Sequence, residues 1–87
     1  MKQTTLNDIL NLRNFILQKT DEINHYERVI ETIRSNYKNM SKSELEASIA
    51  EVRWMENTIK AHRKWCDEAQ EVINDFYKPA TDPRLVA

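Results

Sequence analysis

An all-α fold, an antiparallel helical hairpin of coiled-coil type, follows from three features of this sequence. Apolar side chains recur at alternating three- and four-residue steps through Ile9, Leu12, Ile16, Ile23, Tyr26, Ile30, Ile33, Tyr37 and Met40. The same rhythm restarts at Leu45 and runs through Val52, Met55, Ile59, His62, Cys66, Ala69, Ile73 and Phe76. Between the two runs lies a single short break, and the chain contains no glycine. Two stripes of this length match the 3.5-residue repeat of helices that pair along one seam.

The helix ends carry their own signals. Thr5 can accept a hydrogen bond from the first turn of helix one, and Asp8, three residues on, suits the positive end of that helix. Ser41 and Glu44 have the spacing of a capping box for helix two. Pro79 stops the second helix, because proline lacks the N–H that a continuing helix needs. The reading is one 87-residue domain: a helix over 6–39, a turn over 40–42, a helix over 42–78 and an extended tail over 79–87. Each helix would be about 50 Å long at about 1.5 Å per residue. A lone hairpin has one seam to bury and no globular interior, so it is expected to dimerise into a four-helix bundle.

The heptad frame sets the register. With Ile9, Ile16, Ile23, Ile30 and Tyr37 as the a positions of helix one, folding back near Ser41 puts a opposite d in each layer. Ile30 then faces Met55, Ile16 faces Ala69 and Ile9 faces Phe76. The same register sets Ile23 against His62 and Lys19 against Cys66, so a polar stretch interrupts the seam and is expected to fix the pairing.

Composition excludes several classes of function. Charged residues make up 31% of the chain, yet the formal net charge is −1, so bulk charge favours neither nucleic acid nor an anionic membrane. The charge is blocked: residues 1–20 carry +2, 21–51 carry −3, 52–64 carry +3 and 65–87 carry −3. The longest apolar runs are three residues, far short of a membrane span, and none of the sequence reads as a targeting segment. One cysteine, Cys66, rules out an intrachain disulfide and suits a reducing cytoplasm.

Chemistry has little foothold. His62 and Cys66 lie four apart on one helical face, a spacing that could touch one metal ion, but no Cys-x-x-Cys accompanies them and Lys19 would repel a cation. Glu22 and His25 spell the Glu-x-x-His of di-iron bundles, a site that needs four helices of inward carboxylates. Both are expected to point away from the seam as solvated residues. No catalytic residue, metal or cofactor is assigned.

What the seam leaves unused is more informative. On helix two Trp54, Thr58, Ala61, Trp65 and Val72 form a second stripe along one flank, and Phe15 and Val29 lie on the same flank of helix one. The opposite flank is polar: Arg13, Thr20, Glu27, Glu56, Arg63 and Gln70. A thin hairpin with two tryptophans and a phenylalanine on one side carries the kind of patch that marks a partner site. Trp54, Trp65, Phe15, Val72, Thr58 and Ala61 are therefore the expected partner-binding residues. A smaller apolar strip, Leu6, Leu10 and Leu17, lies near the open end.

A basic ridge supports the rival reading. Arg53, Lys60, Arg63 and Lys64 line the outer part of helix two beside Trp54, and could meet an acidic protein or the phosphates of RNA or DNA. Glu51, Glu56 and Asp67 interrupt that ridge. The functional expectation is a small cytoplasmic, non-enzymatic interaction module. It would serve as an adaptor or stoichiometric inhibitor of a larger protein machine, of phage-like or other mobile-element origin, with a small helical nucleic-acid-binding regulator as the alternative.

Overall fold

A computed structural model describes residues 4–78, the stretch on which all structural statements rest. Helix α1 spans Leu6–Ser35, a 3₁₀ turn spans Tyr37–Asn39, and helix α2 spans Lys42–Tyr77. The two helices pack along their lengths as an antiparallel hairpin, and there is no strand among the described residues. The tail expected over 79–87 lies outside the described residues.

Both starts are capped by the residues whose chemistry suits the role. At Thr5 the box is complete: Asp8 N–H donates to the Thr5 hydroxyl at 3.2 Å, and Thr5 N–H donates to the Asp8 carboxylate at 2.9 Å. Two of the N–H groups that a helix start leaves without partners are thereby satisfied. At Ser41 the structure has half of the expected box, since Glu44 N–H donates to the Ser41 hydroxyl at 3.2 Å without the reciprocal bond. Thr5→Ala should cost about 1 kcal/mol of stability, read by urea melting of the helical signal, because it removes the acceptor for the Asp8 N–H. An unchanged melt would mean that the first turn is frayed in solution.

Helix α1 ends at Ser35, four residues before the Asn39 that the periodicity suggests. The reason is local. The Asn36 side-chain amide donates to the Thr32 carbonyl at 3.1 Å, the acceptor that its own backbone N–H would use in a continuing α-helix. That N–H turns instead to the Ile33 carbonyl at 3.0 Å, and the next bonds, Asn39 to Asn36 and Met40 to Tyr37, keep the tighter 3₁₀ pattern. Apolar spacing continues through Tyr37 and Met40 because a 3₁₀ turn still brings both half-buried side chains to the end of the seam.

Every buried side chain falls at an a or d position. Ile9, Ile23 and Ile30 come from α1, and Val52, Met55, Ile59, His62, Ala69 and Ile73 from α2. The densest part of the seam joins Ile23, Ile30, Val52, Met55 and Ile59, with Tyr26, Val29 and Ile33 against its edges. At the open end Ile9 and Ile73 remain buried, while Phe76 and Tyr77 at the end of α2 are exposed.

Candidate interaction surface

The hairpin has two unlike flanks. On one, residues at heptad spacing along α1 meet residues at heptad spacing along α2. Arg34 pairs with Glu56, Glu27 pairs with Arg63, and the Arg13 guanidinium lies over the Tyr77 ring at 5.4 Å. These are exposed pairs, each worth roughly 0.2–1 kcal/mol at most, and their value lies in fixing register more than in stability. An open groove of about 820 Å³ runs along this flank over Ile30 and Ile59. Of the charged side chains that line it, Glu27, Arg34, Glu56 and Arg63 are already committed to one another across the helices. Arg63 therefore leaves the basic ridge expected from sequence: it closes the hairpin against Glu27 and does not stand beside Lys64 as a free cation.

The other flank is aromatic and open. Trp54 is 60% exposed, Trp65 44% and Val72 42%, while Phe15, Thr58 and Ala61 are half-buried between and beside them. The Thr58 hydroxyl turns inward to the Trp54 carbonyl at 2.9 Å, so this position presents its methyl group rather than a polar one. Tyr26 reaches from the seam to the Trp54 ring, edge to face with centroids 6.0 Å apart. It also lies 6.2 Å from the His62 ring, which in turn lies 5.3 Å from Trp65. Lys19 completes the row, its ammonium 5.6 Å from the Phe15 centroid and 5.7 Å from that of Trp65. A cation between two ring faces is held by their quadrupoles, each contact being worth about 0.5–1 kcal/mol when exposed.

His62 sits at the centre of this row and is only 6% exposed. Its Nδ1 is shut off from solvent and makes no hydrogen bond. The nearest charge is the Glu22 carboxylate at 3.4 Å, within ion-pair reach of a protonated ring but misaligned for a hydrogen bond. The same carboxylate oxygen takes the Lys19 ammonium at 3.3 Å. Leaving a buried ring nitrogen unpaired costs about 1–3 kcal/mol, so this layer sacrifices stability.

Glu22 is exposed, as expected, with about half of its side chain open to solvent, and one carboxylate oxygen also reaches Lys19 and the His62 ring at the seam edge. The signal was present in the heptad, since Glu22 lies one heptad from both Phe15 and Val29, on the aromatic flank. His25 is exposed, with its ring 6.0 Å from Tyr26. Among the described residues no three His, Cys, Asp or Glu side chains are placed to hold a metal ion, and Cys66 is a half-buried free thiol. Nor is any described helix long and apolar enough to cross a membrane. Arg53, Lys60 and Lys64 stand exposed on the outer face of α2 beside Trp54.

Compared with protein-family models, curated proteins and solved structures, the chain matches none of them. Its surfaces are what bear on function.

Proposed function

We propose that this chain is a non-enzymatic protein-interaction module, an adaptor or a stoichiometric inhibitor of a larger assembly, whose working surface is the aromatic flank. The observation that carries the reading is the asymmetry of the two flanks. One is closed by cross-helix ion pairs, while the other leaves Trp54, Trp65 and Val72 substantially open to solvent along one line. Tryptophans on a rigid helix lose little conformational freedom on binding, which is why such residues dominate the energetics of interfaces. Thr58 and Ala61, both small and half-buried, lie between the two tryptophans along the stripe.

The same flank supports self-association, a second copy converting the hairpin into a four-helix bundle. A cytoplasmic setting suits the free Cys66, and the small size fits a modulator encoded by a virus or another mobile element. Sedimentation at micromolar concentration, combined with a pull-down, tests the proposal. The intact protein should dimerise or capture a partner, and a Trp54→Ala, Trp65→Ala double variant should do neither while keeping its helical content. A double variant that dimerises and captures as well as the intact protein would move the working surface elsewhere.

A second reading rests on a specific feature. Arg53, Lys60 and Lys64 project beside Trp54, a basic ridge with an aromatic at its edge, which suits nucleic acid. The loss of Arg63 to Glu27 shortens that ridge, and Glu51 and Asp67 flank it with like charge to phosphate.

A further inference from the structure

We propose that His62 is a proton-operated latch: protonation of the imidazole, with Nδ1–H as the donor, transfers the Glu22 carboxylate from Lys19 to His62 and releases Lys19 from between Phe15 and Trp65. Three observations converge on it. His62 is the buried polar side chain of the seam, and its Nδ1 makes no hydrogen bond. That nitrogen already lies 3.4 Å from a carboxylate oxygen, so a small rotation of the half-exposed Glu22 aligns the two. The same oxygen holds Lys19 at 3.3 Å, so a protonated ring draws on the oxygen that now serves Lys19.

The groups that bear on the charge of His62 are few. From α1 they are Lys19, Glu22 and the Tyr26 phenol, with His25 beyond Tyr26; from α2 they are Cys66 one turn along and the Trp65 ring. With a neutral imidazole, Lys19 and Glu22 cancel and the cluster carries no net charge. With an imidazolium the cluster carries one excess positive charge beside Trp65. A charge-assisted hydrogen bond from Nδ1 to Glu22 satisfies the orphaned nitrogen. The cation that can leave is Lys19, because its flexible stem reaches water and the imidazole is locked in the seam. Departure of the ammonium uncovers ring surface on Phe15 and Trp65, so the aromatic flank becomes more apolar once the imidazole is protonated. The latch belongs to the hairpin itself and holds whatever the flank binds.

An NMR titration of the full chain from about pH 8 to about pH 5 tests it, following the imidazole carbons of His62 and the ε-methylene of Lys19. Lys19 resonances, ring-shifted by Phe15 and Trp65, should move toward solvent-exposed values with the same midpoint as His62. In His25→Gln this coupled movement should persist. In His62→Gln it should vanish, and in Glu22→Gln, which changes only a half-exposed side chain and keeps the seam intact, Lys19 should no longer follow His62. The proposal is overturned if His62 titrates while Lys19 stays still, if His62 does not titrate over this span, or if Lys19 follows pH equally in the Glu22→Gln protein.

Discussion

Met55→Ala is expected to lose about 2–5 kcal/mol of stability, a large share of what one seam supplies. Met55 is only 3% exposed and belongs to the densest layer, with Ile30, Val52 and Ile59 around it. Truncation removes buried methylenes and leaves a cavity that two straight helices cannot close without breaking adjacent layers. Trp54→Ala should behave differently. It removes one edge-to-face contact with Tyr26, worth about 0.5–1.5 kcal/mol, from a side chain mostly in water. Urea melts followed by the far-ultraviolet helical signal, at two protein concentrations, compare them. If Met55→Ala melts with the wild type, the seam is not what holds the hairpin. If Trp54→Ala is the more damaging and its effect grows with protein concentration, the fold depends on the flank being covered by a second copy.

The seam was legible from sequence because the heptad ties burial directly to spacing: Ile9, Ile23, Ile30, Val52, Met55, Ile59, His62, Ala69 and Ile73 are all buried where the a and d frame puts them. Ends were legible where a side chain caps the helix in a fixed pattern, as at Thr5, and less so at Asn36. There a side-chain amide competes with its own backbone for one carbonyl, and apolar spacing carries no trace of that competition. At the site the two tryptophans, Phe15 and Val72 could be placed by helical angle alone. The commitments of charged side chains could not. Whether Arg63 joins Lys60 and Lys64 or closes onto Glu27, and whether Glu22 faces water or His62, depends on cross-helix distances that follow only from the register of both helices together. The Lys19 ammonium between two rings is a product of the same register.

Binding of RNA or DNA should be weak and salt-sensitive, no tighter than the nonspecific range of about 10⁻⁴–10⁻⁶ M at physiological salt. The structure leaves three exposed cations on the ridge, Arg53, Lys60 and Lys64, once Arg63 is paired. Each neutralised phosphate contributes about 0.9 to the slope of log affinity against log salt on duplex DNA, so one copy can reach a slope of only about −2.7. Glu51 and Asp67 beside the ridge work against even that. Capture of a protein by the aromatic flank draws on desolvated ring surface instead, so it should change little with salt and collapse with the tryptophans. Fluorescence anisotropy with labelled RNA and DNA at two or more salt concentrations, set beside the pull-down, separates the two. Submicromolar binding that weakens steeply with salt and disappears in a Lys60→Glu, Lys64→Glu double variant would make the ridge the working surface and the protein a nucleic-acid-binding regulator. Protein capture that survives those substitutions and is lost with Trp54 and Trp65 leaves the aromatic flank in that role, because only the apolar surface then accounts for the energy.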